Sequence, residues 1–201
     1  MSNNIKCKNE FKAILLGETG TGKTSLINVS VGGVFDDCIS STLASSYVSK
    51  TFEKGKKEYI LNLWDTNGQE KYRAMTKLFI KNSKIVIFVY STDNRDSFEN
   101  LKYWVEYVNQ ILGNDVVLGL AGNKSDLYMK EKVKEIEGKN YAKAIGAKFR
   151  LVSAKVDPNG FVIFLNDLLD DYLKKDKIEQ EDNKSFGINK NKKNKDSKNC
   201  C

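Results

Sequence analysis

Apolar residues follow two rhythms along this chain. Short, nearly unbroken runs at Phe11–Leu16, Ile85–Tyr90 and Val116–Ala121 read as strands buried on both faces. Between and beyond them, apolar residues recur every three or four positions. Phe98, Leu101, Val105, Val108 and Leu112 share one face of a helix predicted over 96–112. Phe161, Phe164, Leu165, Leu168, Leu169 and Tyr172 do the same over 160–173, with Pro158 at the helix start, where its fixed φ is tolerated. Further helices are predicted at about 23–31, 71–80 and 131–145, the last with Gly146 beside its end. Segments 45–54 and 57–64 flank Lys54-Gly55-Lys56 and read as an antiparallel hairpin; 149–152 reads as a short strand. Strands that alternate with helices predict an α/β fold: about six strands, mostly parallel with one antiparallel, flanked by about five helices. From about Lys175 the periodicity stops and Asn, Lys, Asp and Ser dominate. The expected division is therefore a domain over 1–174 and a disordered tail over 175–201.

Composition narrows the function classes. No apolar stretch approaches the roughly 20 residues that span a bilayer. There is no histidine, and Cys7, Cys38, Cys200 and Cys201 have no zinc or disulfide spacing, so zinc and His-based catalysis are excluded and a reducing compartment is expected. The net charge of +7 does not indicate nucleic acid, because the lysines are interleaved with acids through most of the chain and form no aromatic-studded stripe.

The strongest chemical signal follows the first strand. Gly17-Glu18-Thr19-Gly20-Thr21-Gly22-Lys23-Thr24 has the spacing of a phosphate-binding loop that opens into the helix predicted at about 23–31, with Ser25 counted among its nucleotide-binding residues. A Gly-rich turn between strand and helix points backbone N–H groups and the positive end of the helix dipole at one spot. Lys23 is placed to reach the outer phosphates, and the Thr24 hydroxyl to ligate Mg²⁺. The chain is thus expected to bind a nucleoside triphosphate.

Three more segments sit at predicted strand ends: Trp64-Asp65-Thr66-Asn67-Gly68-Gln69-Glu70, Asn123-Lys124-Ser125-Asp126 and Ser153-Ala154-Lys155. With the phosphate loop, in this order, they resemble the small GTPases of the Ras superfamily over about residues 10–174. Lys71-Tyr72-Arg73, Asp96-Ser97-Phe98-Glu99-Asn100 and the pair Cys200-Cys201 point, within it, to Rab proteins. The resemblance implies a role for each position. Asp126 would accept hydrogen bonds from guanine N1–H and the 2-amino group, which adenine cannot match. Asn123 would contact the base edge and brace nearby loops; Lys124 and Lys155 would lay their stems on the base; the Ala154 N–H would meet guanine O6, with Ser153 shaping the turn. Phe35, twelve residues after Lys23, would pack edge-on against the base or else anchor its loop. Thr42, nineteen residues after Lys23, would bind Mg²⁺ and γ-phosphate, and would release after hydrolysis. Asp65 would hold Mg²⁺ through a water, the Gly68 N–H would meet the γ-phosphate, and Gln69 would orient the attacking water.

The expected function is a switch that hydrolyses GTP slowly to GDP. It recruits effectors to the cytoplasmic face of an intracellular membrane for vesicular traffic, and cycles with the cytosol. An exchange factor, a GTPase-activating protein and a GDP-dissociation inhibitor are the implied regulators, acting on a monomeric domain. Prenyl groups on Cys200 and Cys201 would dominate attachment. Each buried methylene adds roughly 0.8 kcal/mol, while each tail lysine adds at most about 1 kcal/mol. Three departures qualify the match. Asn67 stands where the family has Ala beside the γ-phosphate; Ala44-Ser45-Ser46-Tyr47 and Leu78-Phe79-Ile80-Lys81-Asn82 alter the surface that selects effectors. Asn67 supports an alternative, a nucleotide-binding scaffold with little hydrolysis, and the intact Gln69 opposes it.

Overall fold

The unbroken apolar runs become the centre of one sheet. The computed structural model describes residues 9–36, 46–66, 73–113 and 115–193. The strands are β1 (Asn9–Leu16), β2 (Ser46–Lys54), β3 (Lys57–Asp65), β4 (Ile85–Ser91), β5 (Val117–Asn123) and β6 (Lys148–Leu151). They run in the order β2-β3-β1-β4-β5-β6. β2 pairs antiparallel with β3 through the hairpin, in register from Ser46 opposite Asp65 to Lys54 opposite Lys57. All other neighbours are parallel. The ladder is the predicted one because each run lacks the alternation that would leave one face wet; every residue of β4 is buried.

Helices cover both faces: α1 (Lys23–Ser30), α2 (Arg73–Ile80), α3 (Arg95–Glu99), α4 (Leu101–Leu112), α5 (Glu135–Ala144) and α6 (Pro158–Lys193), with a 3₁₀ helix at Ser125–Lys130. Successive β1 residues feed opposite cores. Ala13 and Leu15 join Leu26 of α1 and Phe161, Phe164 and Leu168 of α6; Ile14 and Leu16 join Leu101, Trp104 and Val108 of α4. The chain leaves β1 for β3 on one side of the sheet and reaches β4 on the other. The loop after β1 thus lies at the point where strand order reverses, where open α/β sheets bind ligands.

Three segments differ from the sequence expectation. The helix over 96–112 is two helices. The Asn94 side chain caps α3 by accepting from the Ser97 N–H at 3.2 Å, and the chain restarts at Leu101 as α4. The helix over 131–145 starts only at Glu135, because the N–H groups of Lys132 and Val133 are taken by the Thr92 carbonyl at 2.8 and 3.1 Å. The last helix does not stop at 173: α6 runs to Lys193. No proline follows Pro158, and Lys, Glu and Gln are good helix formers, so backbone hydrogen bonding continues past the apolar face. Lys175 adds an ion pair to Asp115 at 3.1 Å.

Candidate functional site

The parallel strands β1, β3, β4, β5 and β6 end on the same edge of the sheet, and four of the segments that follow them converge. In the first, glycine is required by geometry. Gly17 has φ 149°, and a Cβ there would lie 2.1 Å from the Val89 carbonyl oxygen. Gly22, at φ 87°, is the residue that starts α1, and a Cβ on it would lie 2.3 Å from Asn123 Nδ2. Among the described residues no side chain caps α1 and no acid of its own sits in its first turn, so its backbone N–H groups are available to an anion. Lys23 is 5% exposed. Its Nζ donates to the carbonyls of Gly17 at 2.8 Å and Glu18 at 2.9 Å, bridging the loop. Burial pushes its ammonium down to about 8, opposed by the charges of Asp65 and Glu18. The buried Thr21 hydroxyl also donates to the Glu18 carbonyl, at 2.9 Å. Thr19 and Gly20 form the exposed crown of the loop, and Ser25 follows in the first turn of α1.

At the end of β3, Asp65 Oδ2 accepts from the Thr24 hydroxyl at 2.6 Å. Two of the three residues predicted to hold magnesium thus meet across the sheet edge, and their oxygens are the hard donors that Mg²⁺ takes. The buried Thr66 hydroxyl donates to the Leu15 carbonyl at 2.6 Å, fixing the exit of β3 onto β1.

The ends of β5 and β6 are joined to the phosphate loop by one residue. Asn123, 2% exposed, donates through Nδ2 to the Thr21 carbonyl at 2.8 Å and accepts at Oδ1 from the Ala154 N–H at 3.3 Å. Ser153 donates its hydroxyl to Asp126 Oδ1 at 2.5 Å and accepts from the N–H groups of Lys155 and Val156, both at 3.2 Å. Lys124 adopts φ 63°, and the Thr92 hydroxyl donates to its carbonyl at 3.0 Å. Lys155 Nζ lies 5.6 Å from the centre of the Phe35 ring, which also packs against the core beneath α1 and α6. Phe35 thus touches both the core and the Lys155 side chain. Thr42, Asn67, Gly68, Gln69, Cys200 and Cys201 lie outside the described residues.

Comparison with known proteins agrees with this arrangement. A family model described as Ras family matches residues 12–170. The chain is 37% identical over 156 residues to the Ras-related protein Rab-21 of Mus musculus, covering 78% of this chain and 70% of that protein. The Homo sapiens protein of the same name is also 37% identical, with 78% and 69% covered. That of Geodia cydonium is 37% identical over 155 residues, with 77% and 68% covered.

The chain belongs to the Ras family of small GTPases.

Within the family it is Rab-like, a GTP-hydrolysing switch with the fold its motifs predicted. Three of this GTPase's site residues were not legible as such. Thr66, Thr92 and Trp104 act on groups far away in sequence; Thr66 lay inside the quoted motif after β3 and Trp104 on the apolar stripe of α4, but neither position named its partner. Away from the loops, Tyr47, which is 57% exposed, stacks on Trp64 at 5.1 Å; Trp64 meets Phe79 at 5.7 Å, and Lys12 Nζ lies 4.3 Å above the indole. Leu78 beside them is 68% exposed. Residues from both altered segments thus meet on one aromatic surface. Among the described residues, no helix is long and apolar enough to cross a membrane.

Proposed function

We propose that this GTPase holds guanine nucleotide over the four converging segments, hydrolyses GTP, and recruits effectors to an intracellular membrane while GTP is bound. The observation that carries the reading is the pair of hydrogen bonds from Asn123. One side chain locks the phosphate loop to the segments that read the base, so phosphates and guanine are bound by a single braced unit. The N–H groups of Gly17 to Ser25 and the Lys23 ammonium take the phosphates. Asp126 selects guanine, kept in place by the Ser153 hydroxyl. Ala154 offers its N–H to guanine O6, and the stems of Lys124 and Lys155 sandwich the base with Phe35 at its edge.

Thr24 and Asp65 would hold Mg²⁺, joined by Thr42; the ion would supply charge neutralisation between the outer phosphates. The protein's own share of catalysis is placement. Gln69 orients the attacking water, Gly68 and Thr42 contact the γ-phosphate, and Lys23 balances charge on the leaving phosphate. No covalent intermediate is formed, so the intrinsic rate is slow and a GTPase-activating protein raises it. The aromatic surface of Tyr47, Trp64 and Phe79 is where effectors read the state of the neighbouring switch segments. Prenylated Cys200 and Cys201 hold the chain on the membrane, and a GDP-dissociation inhibitor returns it to the cytosol.

Single-turnover hydrolysis of bound GTP tests the reading. Gln69→Leu is expected to be at least about tenfold slower than wild type, and Asn67→Ala about tenfold faster, roughly 1.4 kcal/mol of barrier each. A wild type as slow as Gln69→Leu would instead support a scaffold that holds nucleotide without using it as a timer.

A further inference from the structure

We propose that Trp104 is a positioning residue for the phosphate loop: its indole N–H holds the Glu18 carboxylate away from the ground that the triphosphate must occupy. Trp104 is fully buried on α4, yet its Nε1 donates to Glu18 Oε1 at 3.1 Å, across a separation of 86 residues. Glu18 is the second residue of the loop. Its backbone is committed to the loop interior, since its carbonyl accepts from both Lys23 Nζ and the Thr21 hydroxyl, each at 2.9 Å. Only the direction of the side chain is left to be set, and Trp104 sets it.

An acid in a phosphate loop is a liability. A carboxylate turned inward would repel the phosphates and compete with them for Lys23, at short range and in a partly desolvated site. The indole is suited to prevent this. It is donor-only, so it matches the acceptor-only carboxylate of Glu18. It is neutral, so it fixes the position of the charge without cancelling it. It is buried, so its N–H needs an acceptor, and Glu18 supplies one.

This rests on the reading that the loop binds nucleotide, and the test separates the two. The full chain is titrated with a fluorescent GTP analogue and the matching GDP analogue in the presence of Mg²⁺. Trp104→Phe keeps a ring in the core but removes the donor. It is expected to weaken GTP binding about tenfold, about 1.4 kcal/mol, and to weaken GDP binding less because fewer charges are involved. Adding Glu18→Gln should restore GTP affinity to within about threefold of wild type, because the released group no longer carries charge. A merely packing role for Trp104 would not be rescued by Glu18→Gln, and lack of rescue overturns the proposal. So does unchanged GTP affinity in Trp104→Phe. A measurement that does not depend on that variant folding is the indole N–H resonance of the wild-type chain. Glu18→Ala should shift the Trp104 signal and leave that of Trp64 in place; an unmoved Trp104 signal overturns the proposal. A wild type that binds neither analogue fails the nucleotide reading itself, and the proposal with it.

Discussion

Asp126 shows how a side chain can be held in place and still keep acceptor capacity. Ser153 occupies one lone pair of Oδ1, which fixes the carboxylate's orientation while leaving acceptor capacity for a base. Asp126→Asn exchanges an acceptor-only group for one that also donates. Competition between nucleotides should then show weaker GTP binding and improved binding of xanthosine triphosphate; an unchanged preference for GTP would mean that the base is read elsewhere. Tyr90 presents the opposite case. It is fully buried in β4, and its hydroxyl has no hydrogen-bond partner among the described residues. Burial first, then the charges of Glu131, Glu137 and Glu135, pushes this phenol well above the usual tyrosine range. A folded-state pKa above the unfolded one gives a contribution that is complete below about pH 10 and lost as pH rises beyond it. Tyr90→Phe should therefore match or exceed wild-type stability at pH 8, by up to about 1 kcal/mol, and lose less than wild type by about pH 10.5 in urea unfolding.

At the scale of elements, the loops are held by side chains that bind backbone from other strands. Asn123 ties the end of β5 to the phosphate loop and to the end of β6. Asn123→Ala leaves the Thr21 carbonyl and the Ala154 N–H without that partner. The expected loss is about 2 kcal/mol, read as a lower urea midpoint at fixed GDP concentration. A loss under about 0.5 kcal/mol would mean that the loops are braced by other contacts. The same kind of interaction explains where sequence patterns misplaced helix boundaries. Periodicity over 96–112 is continuous, but the Asn94 cap starts a separate short helix. The apolar pattern near 131–134 is compatible with helix, but Thr92 claims those N–H groups first. Neither cap nor carbonyl leaves a mark in hydrophobic spacing.

On the scale of the whole molecule, α6 follows β6 and runs from Pro158 to Lys193. Ion pairs from Lys54 to Asp170 and from Lys148 to Asp171, both at 2.6 Å, fasten the middle of α6 to the hairpin and to β6. Being partly exposed, each is worth no more than about 1 kcal/mol. Membrane attachment is proposed to run through the terminal cysteines. Cys200→Ser with Cys201→Ser should leave the chain in the soluble fraction at physiological salt, because the tail lysines act only within a Debye length of about 8 Å. Recovery of the double variant in the membrane pellet would show that the lysines suffice.

The sequence by itself determined the sheet, the order of its motifs and the class of ligand. Buried runs, helical spacing and glycines in a phosphate loop are local patterns, and each states its own physical requirement. Gly17 and Gly22 could be read at their positions because the loop demands them, although the atoms that forbid a side chain there, the Val89 carbonyl and Asn123 Nδ2, could not. Only the tertiary structure decided that Thr24 meets Asp65, that Asn123 joins two loops, and that a buried tryptophan restrains an acid 86 residues away. Such contacts depend on which strand ends lie side by side. That adjacency follows from the chain crossing from β3 to β4 over β1, and no local spacing records it.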